Sequence, residues 1–172
     1  KAYERWVASR LPVLAAQVRQ LRADIDSGAR AAAQHSWLAA HLTYETMGAA
    51  YGAFGDFDTR INGTPAPGRE ADDDRDLEGF HRIEALLWGS GPTEAATMPA
   101  TRLVSAVDGL QAAFDQARID PTDIGLRAHE IVENAIQFEL TGRTDAGSHT
   151  NLATVDANLS GSREALAPLR GL

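Results

Sequence analysis

Apolar residues that return every three or four positions decide what this chain can become. Val7, Leu11, Leu14, Val18, Leu21 and Ile25 alternate steps of four and three, which sets them on one stripe of a helix. Pro12 lies inside that run and is expected to kink the helix or to mark its start. Similar spacing predicts helices over about 31–57, 77–88, 101–118 and 120–140. Leu152, Val155, Leu159, Leu166 and Leu169 stripe a last one. Asp120-Pro121 reads as an N-cap followed by proline at the first helical position. No segment alternates apolar and polar residues for long enough to read as a strand. The expectation is an all-α, four-helix-bundle-like fold of five to six helices, forming one domain over 1–172. Residues 58–76 interrupt it with Asn62-Gly63, Pro65, Pro67, Gly68 and Asp72-Asp73-Asp74, a long loop ahead of the short 77–88 helix.

Composition narrows the functions. Sixteen Lys+Arg against 24 Asp+Glu leave a net charge of −8. That sign argues against nucleic acid and anionic membranes, which need clustered cations, and is compatible with cation capture. The sequence has no cysteine, so disulfides, thiolate metal sites and cysteine nucleophiles are excluded. No apolar run approaches the ~20 residues of a membrane-spanning helix. The first residue is Lys1 rather than Met, which leads us to expect a processed or trimmed product.

The residues with chemistry to offer are histidines paired with glutamates one helical turn away. His81-Arg82-Ile83-Glu84 is an H-x-x-E, while His41 with Glu45 and His129 with Glu133 stand four apart. Residues at i+3 and i+4 project from one face, so each pair could share a partner. By chance, one H-x-x-E arises at roughly 0.3 per chain of this composition, and a solvated His–Glu pair supporting a helix is the plain alternative. In helical bundles, inward carboxylates and imidazoles from facing helices converge on a metal. Such a donor set suits Fe, Mn or Zn. Gly48 and Gly52 share a face with Glu45 and leave room beside it. Glu130, Glu133 and Gln137 interrupt the apolar edge between Leu126 and Leu140. His35 and His149 read as solvent-facing, the Asp72–Asp74 run as a solvated loop, and Trp6, Trp37 and Trp88 as core fillers.

Gly79-Phe80-His81-Arg82-Ile83-Glu84, followed by Leu87-Trp88-Gly89, resembles the G-x-H-x-x-E signature of the imelysin-like family, in particular its EfeO-type iron-uptake branch. His41 to Asn62 and Arg127 to Gly142, continuing into Asn151-Leu152-Ala153, resemble two further family segments in the same order. The resemblance implies a helical bundle corresponding to the first half of a longer domain. It also implies a location in the periplasm or on the extracytoplasmic cell surface, as in lipoproteins of this kind. The implied cargo is iron, Fe²⁺ or Fe³⁺, with Zn or Cu as alternatives. The implied partners are an iron permease of the inner membrane and a haem peroxidase of the same uptake system. Carried over by position, the implied metal ligands are His81, Glu84 and Glu45, with Glu130 or Glu133 from the later helix and Asp58 from the turn. Two other functions stand beside iron capture, a metallopeptidase and an acidic-polysaccharide-binding protein. A single H-x-x-E falls short of the three ligands plus base that zinc peptidases use, and Arg127 and Arg143 are sparse for binding a polyanion. The reading therefore leans away from an enzyme.

Overall fold

Two long helices set the frame. In the computed structural model, which describes residues 1–120 and 122–169, α1 (Ala2–Asp26) turns back at Gly28 into α2 (Arg30–Glu45). The predicted stripe of α1 is buried residue for residue, and Pro12 sits within the helix on its exposed side rather than starting it. α6 (Thr97–Phe114) packs along α1, burying Leu103, Val107, Leu110 and Phe114. α5 (Gly79–Trp88) lies against both α2 and α6, so α1, α2, α5 and α6 form the bundle. The protein is all-helical, and the described residues contain no strand.

The expected second helix is broken into pieces. α2 stops at Glu45, a 3₁₀ turn follows at Gly48–Ala50, and α3 (Tyr51–Phe54) and α4 (Asp56–Asn62) are separated by a turn at Gly55. Helix therefore extends five residues into the expected loop, which begins at Gly63. The break has a tertiary cause. α7 (Asp123–Asn134) and α8 (Asn151–Leu166) form a pair that crosses the end of α2, and α8 seats its backbone directly on Thr46. A Cβ on Gly161 would lie 1.9 Å from the Thr46 carbonyl oxygen.

α7 and α8 also depart from the sequence reading. Pro121 lies outside the described residues. Asp120 does not cap a helix but bends the chain back on itself, accepting hydrogen bonds from the Thr122 amide and hydroxyl. After Asn134 the helix widens into a π turn, Ala135–Glu139, where the Leu140 amide reaches back five residues to the Ala135 carbonyl. α8 buries Thr154, Ala157, Asn158, Gly161, Ser162 and Ala165, a small and polar face. Its expected stripe points outward: Leu152 is 76% exposed, and Leu166 and Leu169 are exposed as well. Close approach to the α2 terminus demands small residues there, and that demand overrides the apolar periodicity.

Gly161→Ala is expected to cost about 1–3 kcal/mol, because the added methyl meets rigid backbone. Gly125→Ala, on an exposed face of α7 with nothing within 4 Å of the new methyl, should stabilise by about 0.5–1 kcal/mol. Urea unfolding of both variants checks the pair of signs.

Candidate metal centre

The motif begins with a backbone requirement. Gly79 opens α5 with φ +75°, and a Cβ there would lie 2.1 Å from the Ile61 carbonyl oxygen. Glycine lets α5 start against the end of α4, which fixes the direction of the helix. Phe80, Ile83 and Leu87 anchor it in the core, and the Trp37 indole donates to the Phe80 carbonyl at 2.9 Å. His81 and Glu84, three apart, then share the remaining face, with Nδ1 and Oε2 3.6 Å apart. Arg82 turns the other way. Its guanidinium donates to the Ala71 and Asp72 carbonyls at 2.8 and 2.9 Å, tying the 63–78 loop over the helix. Within that loop Asp74 is buried, contrary to the solvated reading, and accepts hydrogen bonds from the Ala66 and Asp76 amides and from Arg69.

A third group arrives from a segment the sequence reading passed over. Asp145 lies in the turn between the π segment and α8, is 1% exposed, and holds a left-handed φ of +48°. Asp tolerates that conformation better than most residues, and strain of this kind gathers at functional sites. His81, Glu84 and Asp145 are all buried, and one potential ligand atom from each lies within 4.8 Å of the others. Among the described residues no other such trio occurs. The available signal was a short one, an Asp two residues before Gly147 in a turn rich in Ser and Thr.

Each carboxylate in the trio has one oxygen engaged and one free. Glu84 Oε1 accepts from the Gly147 amide, the Ser148 amide and the Ser148 hydroxyl at 3.1, 2.8 and 2.7 Å. Oε2 is left facing His81. Asp145 Oδ2 accepts from the Thr150 and Thr154 hydroxyls at 3.2 and 2.5 Å, whereas Oδ1 has no hydrogen-bond partner. Burial alone would raise the Glu84 pKa, but the His81 ring 3.6 Å away and the hydrogen bonds from Ser148 prevail and hold it below the ordinary value. The carboxylate is thus kept ionised in a buried place.

Behind the trio sits His41, also 1% exposed, with its ring against Trp37, Phe80 and His81. Its Nε2 is 3.2 Å from Glu45 Oε1 and its Nδ1 3.8 Å from Asp145 Oδ1, though neither nitrogen is aligned for a hydrogen bond. The contact is electrostatic. Burial pushes the imidazole pKa down, the charges of Glu45, Asp145 and Glu84 push it up, and the second effect wins, raising it to about 9. His41 is therefore a buried cation that partly offsets three buried carboxylates.

The other sequence-predicted residues stand outside the trio. Glu45 is beside it but occupied, accepting from Asn62 at 2.7 Å and Asn158 at 2.9 Å. Asp58 accepts from the Tyr44 hydroxyl at 2.6 Å, and burial followed by the charge of Glu45 raises its pKa. Glu130 pairs with Arg127 at 2.7 Å. Glu133 pairs with His129 on an exposed face of α7. The space expected beside Glu45 is taken by α7, since Gly48 abuts Ile131 and Gly52 abuts the Arg127 guanidinium. His35 and His149 are exposed, as expected, and Trp37 is a core residue.

Two cavities share His81, Thr64 and Thr144 as a wall. One, about 270 Å³, contains the trio together with Glu70, Asp72, Trp88 and Arg143. The other, about 400 Å³, contains Glu45, Asp58, Glu130 and Glu139. Glu139 enters from the π turn, and burial with the charges of Asp145 and Glu45 raises its pKa.

A sequence model of the imelysin family (peptidase M75) matches residues 1–172. The chain belongs to the imelysin family. It is similar to the iron uptake system component EfeO of Escherichia coli K12, 25% identical over 169 residues, which cover 98% of this chain and 45% of that protein. The same identity and coverage hold for EfeO of Shigella flexneri and of Escherichia coli O157:H7. The chain thus spans about half the length of the curated relatives it matches, and its imelysin membership covers the whole of the trio.

Asp145→Asn should weaken divalent-metal binding at least as much as Ser148→Ala, for which about 10- to 100-fold is expected from loss of a ligand-orienting hydrogen bond; titration calorimetry ranks them. In metal-free buffer, protonated His41 stabilises the fold fully below its ordinary value of 6.5, and that stability drains away as pH rises through about 9. Unfolding free energy should therefore fall by on the order of 2–3 kcal/mol across that window, and His41→Gln should flatten the slope.

Proposed function

We propose that this protein is the metal-binding component of an iron-uptake system, with iron as its cargo. The observation that carries the reading is the trio: one imidazole nitrogen and two unengaged carboxylate oxygens, buried together and reachable from a cavity. Hard oxygen donors with a single imidazole suit ferrous or ferric iron better than Cu(I). Buried carboxylates without a compensating cation are costly, and His41 offsets only part of the charge. An ion at His81, Glu84 and Asp145 completes the balance.

Three protein donors leave coordination positions open, which fits cargo that must leave again. The similar EfeO proteins are named as iron uptake system components, which supports the reading. By that likeness, hand-over goes to an iron permease of the inner membrane, alongside a haem peroxidase, from an extracytoplasmic position. No described helix is long and apolar enough to cross a membrane. Glu45 acts from behind the site through His41, Asp58 and Glu130 line the neighbouring cavity that His81 also lines, and Glu133 stands on an exposed face of α7.

The trio also reaches the ligand count of a catalytic zinc, which gives the metallopeptidase reading one specific support. Calorimetric titration with Fe²⁺, Fe³⁺, Zn²⁺ and Cu²⁺ under controlled redox conditions tests the proposal. His81→Ala/Glu84→Ala should lose at least about tenfold in iron affinity with unchanged helicity. Equal affinity in wild type and double variant refutes the site. Metal-dependent cleavage of casein that vanishes in Glu84→Gln would favour the peptidase.

A further inference from the structure

Resting on that reading, the cavity around the trio bears on the form in which the cargo arrives. The two hydrogen-bonded carboxylates offer one free oxygen each, so with the His81 nitrogen the protein supplies three donors. An octahedral ion then needs about three more. The cavity is far larger than those positions require, about 270 Å³ against the ~30 Å³ of one water in the liquid. Pro65, Ala85 and Trp88 form part of its wall. Pro65 and Ala85 offer side chains with no hydrogen-bonding group, a surface suited to a carbon skeleton, beside the polar groups of Thr64, Glu70 and Thr144.

Arg143 is a solvent-exposed side chain bordering the same cavity. It lines this cavity, yet among the described residues its side chain forms no ion pair and no hydrogen bond, although Glu70, Asp72, Glu84 and Asp145 line the same space. A cation beside a cation-binding site weakens a bare ion by repulsion. It has a use if the ion arrives with an anion, because the guanidinium fork matches a carboxylate in two parallel hydrogen bonds.

We infer that the site takes iron together with a small polycarboxylate that fills the open coordination positions, and that Arg143 holds a carboxylate of this co-ligand. The ion remains on His81, Glu84 and Asp145, and no covalent change is involved.

Citrate serves as the probe. Fe²⁺ alone, Fe²⁺ with citrate (both anaerobic) and Fe³⁺–citrate are titrated calorimetrically into wild type, Arg143→Gln and His81→Ala/Glu84→Ala, with native mass spectrometry counting bound iron and citrate. Wild type should carry one iron and one citrate per chain. Arg143→Gln should bind Fe²⁺ alone as tightly as wild type or more tightly, while losing about tenfold or more for the iron–citrate pair. Citrate that merely strips iron from wild type overturns the co-ligand, as does an Arg143→Gln variant that keeps the ternary complex at wild-type affinity. Citrate retained by the double variant without iron shows an anion site unlinked to the metal, and also overturns it. Failure of wild type to bind Fe²⁺ alone or iron–citrate removes the parent reading along with this one, which separates the two failures.

Discussion

Three carboxylates, Glu45, Glu84 and Asp145, are buried within one small region, and the architecture around them answers the cost of putting them there. An unpaired buried charge is too expensive for a domain of marginal stability. Glu84 is met by two backbone amides and a hydroxyl, Asp145 by two threonine hydroxyls, and Glu45 by two asparagine amides. The donors come from the 140–150 turn, α4 and α8, so the site holds separate elements together. His41 adds one positive charge to the group. The remaining negative charge and the one free oxygen on each of Glu84 and Asp145 make the centre receptive to a cation.

This arrangement explains why a bundle of long apolar stripes carries such an irregular second part. α1, α2 and α6 are shaped by hydrophobic burial along their length. Beyond Glu45 the chain breaks repeatedly, because α8 must come within backbone contact of Thr46 to deliver Asn158 and Thr154. The π turn at Ala135–Glu139 and the left-handed Asp145 belong to the same economy of close approach. Of the trio, Asp145 sits where regular structure ends, while His81 and Glu84 are carried by the regular helix α5.

Much of this was legible beforehand. Heptad-like spacing gave the α1 stripe without error, since six apolar residues on one face have a single low-energy destination. The H-x-x-E pair was readable because residues three apart on a helix share a face whatever surrounds them. The family likeness covers the same segments. Glu130 and Glu133 were plausible on pattern, but their own-helix neighbours Arg127 and His129 claim them. Asp145 was invisible because a turn has no periodicity, and its importance arises from neighbours more than 60 positions away in the sequence.

Composition set the net charge, and local pattern determined the apolar stripe of α1 and the pair His81–Glu84, because residues within one or two turns share a helix face. Tertiary structure decided which third carboxylate joins that pair, which face of α8 turns inward and which histidine becomes the buried cation. Those outcomes depend on distance through space and on the low polarity of the interior, neither of which is written at any one position in the chain.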